Sequence, residues 1–145
     1  MLDWPEEEIP DQDRLFYRVH VSYLERTTGA LGPNVFVEKH GSMSTDWEKY
    51  STAEECRGRA PEPLANGVIA LVKGVVEEVD ALLVKHTPIR IGPTNRAHTS
   101  VFGMGGGETP REHKTMVRAE LFFKFRTWVL EPDLDRFRSA DPRRA

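Results

Sequence analysis

The chain reads as an α+β domain: a small, mostly antiparallel sheet packed by one long C-terminal helix (110–129) plus a short helix (52–59). Three stretches predict this. Leu15–Leu24 alternates like a half-buried strand, with Tyr17, Val19, Val21 and Tyr23 on one parity and Phe16, Arg18, His20 and Ser22 on the other. Thr109-Pro110-Arg111-Glu112 offers an N-cap threonine, a proline at N1 and a glutamate at N3. Val117, Leu121, Phe125 and Trp128 then recur at helical spacing, with Phe122 and Val129 widening the stripe. Finally, Ser51 and Thr52 stand three residues before Glu54 and Glu55, so either opens a capping box ahead of the stop at Pro61.

Taken in order, residues 1–14 (MLDWPEEEIPDQDR) have two prolines and no period, and form an extended N-terminal arm anchored by Trp4 and Ile9. After the first strand, Thr-Thr-Gly and Gly-Pro-Asn mark turns between Glu25 and Asn34, and Val35–Glu38 is a candidate return strand. Gly41–Tyr50 is polar around a buried-looking Trp47. Gly67–His86 allows one helix or two strands turning near Glu77–Asp80; its valines, the interior Gly74 and the polar break favour two strands. Glu131-Pro132 ends the long helix, leaving 15–130 as a single globular domain and 131–145 as a weakly ordered charged tail.

At 145 residues the chain buries a core without disulfides or metal staples. Its 39% hydrophobic and 30% charged content is that of a globular protein rather than a disordered one. A net charge of -3 gives no electrostatic case for nucleic acid or an anionic membrane. The acids gather between Asp3 and Asp13 and the bases from Arg111 onward, a pattern of solvated termini. Cys56 stands alone, which excludes an internal disulfide and a multi-cysteine zinc motif. No basic-then-apolar leader opens the chain, and the longest apolar run, Val68–Val72, falls far short of the ~20 residues of a membrane span. A bacterial cytoplasmic protein is the expectation.

The polar passage His86–Gly103, HTPIRIGPTNRAHTSVFG, draws the functional reading, because polar loops held between regular elements are where sites concentrate. Imidazoles there offer general acid or base chemistry near neutrality, and Asn95, Arg96, Thr99 and Ser100 crowd around His98. Structural hydrogen bonding is the competing role for His98. His86 and His98 lack metal-ligand spacing, so no metal or cofactor is expected. The run Gly103–Glu108 leads into a helix N-terminus with Arg111 and His113 in its first turn, an arrangement suited to an anion as well as to a plain connector. Arg18 and His20 share a strand face; if it lines a cleft they grip a phosphate, with Ser42, Ser44, Thr45, Asp46 and Trp47 opposite, and otherwise they face solvent. No Gly-x-Ser-x-Gly elbow is present, and Cys56 reads as an inert thiol.

The stretches IPDQDRLFYRVH, SMSTDWEKYSTAEE and NRAHTSVFG resemble a set of small uncharacterised bacterial proteins with a Leu-aromatic-x-Arg strand, a Ser-x-Asp-Trp motif and an Asn-x-Ala-His segment. That resemblance spans Ile9–Gly103 and implies no assigned activity. A weaker likeness, to NAD-consuming toxins of the ADP-ribosyltransferase and RES types, maps Arg14 or Arg18, Ser44-Thr45 and Tyr50 onto their nicotinamide site; their catalytic glutamate has only Glu108 and Glu112 late enough in the chain.

Two functions follow as expectations. The first is a small binding or accessory protein, one component of a multi-protein system, that recognises a protein partner, a second copy or an anionic ligand through 86–113, with Asn95, Arg96, Thr99, Ser100, Arg111 and His113 as contacts. The second is a small enzyme acting on a nucleotide or NAD, with Arg18, His20, Asp46 and His98 as its catalytic set. Convergence of those four in one pocket is what the enzyme requires.

Overall fold

A computed structural model of the chain describes residues 2–80, 82–105 and 110–135. Within them the strands are β1 (Arg14–His20), β2 (Met43–Trp47), β3 (Asn66–Val72), β4 (Leu83–His86), β5 (His98–Phe102) and β6 (Trp128–Leu130). The helices are α1 (Ala53–Gly58), α2 (Lys73–Val76) and α3 (Arg111–Lys124). The strands form one sheet in the order β4-β5-β2-β1-β3-β6, with every neighbouring pair antiparallel. This is the predicted α+β architecture.

Alternation along each strand separates two faces. Leu15, Tyr17 and Val19 of β1 join Met43, Trp47, Ile69, Leu71, Val84 and Val101 in the main core. That core is completed by Val76, Val79 and Leu82 around α2, by Val117, Leu121 and Phe125 of α3, and by Ile9 of the arm. The opposite face carries Phe16, Arg18 and His20 on β1, Ser44 and Asp46 on β2, and His98 and Ser100 on β5, as the registers Phe16↔Asp46, Asp46↔His98 and Ser44↔Ser100 require. Only part of it is covered: Ala53 and Cys56 of α1 pack on Phe16 and Val68. α1 starts as predicted, with the Thr52 side chain accepting from Glu55 N and Glu55 reaching back to Thr52 N.

Four elements differ from the expectation. β1 stops at His20, and Val21–Tyr23 turn as a 3-10 helix capped by the His20 side chain. Val35–Glu38 is not a strand: Pro33–Val35 form a 3-10 turn held by Tyr17, whose hydroxyl donates to Val35 O at 2.7 Å and accepts from Val37 N at 3.2 Å. The two strands within 67–86 do not form a hairpin. β3 pairs with β1 and β6 while β4 lies at the far edge on β5, and Val76, Val79 and Leu82, between them in sequence, pack into the main core. The long helix ends at Lys124 rather than 129, because Phe125 leaves the helical region (φ -133°, ψ 96°) and Trp128–Leu130 pair with β3 instead. Gly67 makes that pairing possible, since a Cβ there would stand 2.2 Å from Trp128 Cζ3.

The arm is tied down along its length. Arg90 Nε donates to Trp4 O at 2.7 Å, Glu7 N donates to His86 Nδ1 at 3.0 Å, and Gly74 N donates to Asp11 O at 2.8 Å. Glu7 also takes bonds from Lys49 Nζ (2.6 Å) and the Tyr50 hydroxyl, which hold its carboxyl below the usual range, Lys49 contributing most. At the other end Asp133 N donates to Leu64 O at 2.8 Å and Leu134 packs on the core, so the stretch just past Pro132 is fixed; residues 136–145 of the predicted tail lie outside the described residues. Among the described residues no helix is long and apolar enough to cross a membrane.

Candidate functional site

β1 and β2 pair only at Leu15↔Trp47 and Phe16↔Asp46, and beyond that row their ladder ends. The space beside it, on the partly covered face, is an open cavity of about 1060 Å³. Its walls are Arg18, His20 and Tyr23 from β1 and the turn after it, and Lys39, His40, Ser42 and Ser44 leading into and along β2. Arg59 and Glu62 after α1, and Asn95 and His98 from the loop and strand of the His86–Gly103 passage, close the remaining sides.

Arg18, His20, Asp46 and His98, drawn from three strands, all line this cavity. Each is held differently. Arg18 Nη1 donates to Cys56 O at 2.9 Å, placing a cation at the carbonyl end of α1, where the helix dipole favours it. His20 Nδ1 accepts from Ser22 N at 3.1 Å, so in the neutral ring Nε2 carries the proton. His98 is gripped from behind, with Nδ1 2.9 Å from Thr87 O and Nε2 3.2 Å from Ser44 Oγ.

Asp46 is a strut rather than a free carboxylate. It is only 4% exposed, and both oxygens are occupied: Oδ2 takes a bond from Arg59 Nη1 at 2.7 Å and Oδ1 one from Asn95 Nδ2 at 2.8 Å. It thereby ties the end of α1 and the 87–97 loop to β2. Arg59 Nη1 also donates to Ser51 Oγ at 2.9 Å. The nearby Cys56 is buried, and burial, with the Asp46 carboxylate adding to it, pushes its thiol pKa strongly up. A thiol so placed is a poor nucleophile.

The ligand contacts proposed along 86–113 do not assemble. Asn95 reaches the cavity, but through its bond to Asp46. Arg96 turns to the arm, its guanidinium 4.2 Å above the Tyr50 ring and 3.9 Å from Glu7. Thr99 is fully buried on the core face, and its hydroxyl donates to Ala97 O. Ser100 is 5% exposed and bonded to Thr87 Oγ1 at 2.7 Å. Arg111 and His113, on the first turn of α3, do not line the cavity. Strand alternation accounts for Thr99, which faces away from His98 and Ser100 on β5, while Arg96, Arg111 and His113 lie outside that strand altogether. In the glycine run, Gly103 and Gly105 turn with φ 96° and 94° around a buried Met104, while residues 106–109, including the expected Thr109 cap, lie outside the described residues.

His86 is 2% exposed, edge-on to Trp47 at 5.1 Å, and bonded to Glu7 N and Arg96 O, which makes it an anchor for the arm. Of the residues mapped through the toxin resemblance, Arg18, Ser44 and Thr45 line the cavity. Tyr50 lies in the arm's anchorage, and Arg14 pairs with Glu48 at 3.2 Å. Lys39 and Arg59 line the cavity and Thr87 holds His98 without having been singled out, because all three lie outside the strands whose parity the sequence shows. Among the described residues no three His, Cys, Asp or Glu side chains cluster as metal ligands. No protein-family model, curated protein or solved structure matches the chain.

Proposed function

We propose that the protein is a small enzyme that binds an anionic molecule of roughly nucleotide size in the cavity beside β1 and β2. The observation that carries this reading is the convergence of Arg18 and His20 of β1 with His98 of β5 on one cavity of about 1060 Å³. That volume stands at the upper limit of small-molecule sites, about 1,000 Å³. The charge balance favours an anion. Asp46 and Arg59 neutralise each other, leaving Arg18 and Lys39 against Glu62. Arg18 makes one hydrogen bond among the described residues, to Cys56 O, so its other N–H donors remain for a phosphate or carboxylate.

A thermal-shift panel of mononucleotides, NAD, pyrophosphate and dicarboxylates tests this. A ligand at a hundred times its Kd adds about 2.7 kcal/mol of stability, and the shift should shrink in Arg18→Gln and weaken with salt. Silence across the panel, or a shift untouched by Arg18→Gln, overturns it. The accessory-protein reading has its own support in Ile91, 71% exposed at the tip of the 89–95 loop, where a partner would meet it.

A further inference from the structure

Behind His98 the hydrogen bonding fixes which ring nitrogen carries the proton. Thr87 O, 2.9 Å from Nδ1, can only accept, so Nδ1 donates and the neutral ring presents a lone pair at Nε2. Ser44 Oγ lies 3.2 Å from that Nε2. Thr87 is itself immobilised: its N donates to His98 O at 3.0 Å, and its hydroxyl lies 3.0 Å from His98 Nδ1 and 2.7 Å from Ser100 Oγ. A hydroxyl, a base and a group orienting the base thus stand in sequence on the cavity wall, the arrangement that activates a serine. Ser44 is exposed and lines the cavity, while Ser100 behind it is buried and Thr87 half-buried, so the hydroxyl is open to the cavity and the orienting network is largely withdrawn from it.

We propose that Ser44 and His98 form a nucleophile–base dyad that transfers the acyl group of a small ester bearing a phosphate or carboxylate; this rests on the anion-binding reading of the same cavity. Ser44 Oγ attacks the ester carbonyl carbon while its proton passes to His98 Nε2, and the imidazolium is stabilised through Nδ1–H by the Thr87 carbonyl. The tetrahedral adduct collapses with cleavage of the bond to the alkoxy oxygen, which takes the proton from Nε2 and leaves as an alcohol. Water then attacks the acyl-serine with His98 again as base, releasing the carboxylic acid and restoring Ser44. One imidazole serves as base and then as acid in each half. His20 and Arg18, on the β1 side of the same cavity, supply the donors and positive charge for the oxyanion and the substrate's anionic group.

The test uses the full chain and an alkyl fluorophosphonate. This reagent forms an Oγ–P bond, loses fluoride and leaves the serine proton on the base, and it is read by intact mass and peptide mapping. One adduct is expected, on Ser44. It should be absent in Ser44→Ala and form roughly 100-fold more slowly in His98→Gln, the scale of general-base assistance. Thermal melts of both variants establish that they are folded. No Ser44 adduct on the folded protein, or labelling of His98→Gln at the wild-type rate, overturns the dyad even where nucleotides shift the melt. Hydrolysis of 4-nitrophenyl succinate and 4-nitrophenyl acetate separates the two readings: equal rates with Ser44 labelled sink the anion preference and leave the dyad standing.

Discussion

Asp46→Asn separates a strut from a catalytic acid, because it keeps the shape and removes the charge. In the native site the carboxylate accepts one charged bond from Arg59 (2.7 Å) and one amide bond from Asn95 (2.8 Å), at 4% exposure. A hydrogen bond to a charged group contributes about 1.5–3 kcal/mol, and a buried donor left facing another donor costs about 1–3 kcal/mol. Asparagine has one oxygen for two donors, so its own NH2 must face either Arg59 or Asn95. The Arg59 side chain is 30% exposed and recovers part of its loss from water. The expected net loss is roughly 2–4 kcal/mol, read by urea unfolding at pH 7. Combined with Arg59→Ala in a double-mutant cycle, the pair should couple by roughly 1–2 kcal/mol, since each single change already breaks the same bond. A loss under about 0.5 kcal/mol, or additive effects, refutes the strut and returns Asp46 to the chemistry.

Tyr17→Phe keeps the stacking on Phe36 but orphans Val35 O and Val37 N, at a cost of roughly 1–3 kcal/mol in urea unfolding. Burial raises the Tyr17 pKa from 10.0 to about 12, so its contribution is complete below pH 10 and lost as pH rises through 12; the wild type should lose stability over that window by more than Tyr17→Phe does. Glu7 moves the other way. Its carboxyl is held below 4.5, first by Lys49 and then by Tyr50, so the stability it adds is present above that pH and fades as pH falls through its lowered value. Glu7→Gln should therefore cost roughly 1–2 kcal/mol at pH 7 and converge with wild type in acid, once the carboxyl is protonated; a gap that persists there counts against the clamp. Gly67→Ala drives a Cβ into the Trp128 ring and to 2.8 Å from Leu130 O, so β6 must lift at a cost of roughly 1–3 kcal/mol, seen as lost amide protection at 128–130; intact protection there contradicts the packing described.

What the sequence made legible was local chemistry. The parity of Leu15–His20, the Thr52–Glu55 capping box and the Val117/Leu121/Phe125 stripe each settle an element from residues close in sequence. β2 was hidden because its outward positions, Ser44 and Asp46, make Met43–Trp47 read as polar, although Met43 and Trp47 are core. β6 was hidden because Trp128 and Val129 continue the helical spacing of α3, and only the vacancy at Gly67, far away in sequence, draws them into the sheet. The site divides along the same line. Arg18 and His20 were visible as one face of one strand, and their meeting with His98 depends on a strand order that no local pattern encodes. The crowded set around His98 misled for the converse reason, since adjacency along β5 sends Thr99 to the core and His98 to the cavity.

The sheet ends in two short strands, β4 with four residues and β6 with three. Each is cut off soon after by a proline, Pro88 beyond β4 and Pro132 beyond β6, which cannot donate to a further ladder. Lys85 projects exposed from β4. Edges this brief and this punctuated give a neighbouring chain little backbone to pair with, which is how sheet proteins resist edge-to-edge aggregation. The exposed apolar side chains of the α3 outer face, Met116 and Phe123, lie away from these edges, and the sheet keeps its width at six strands.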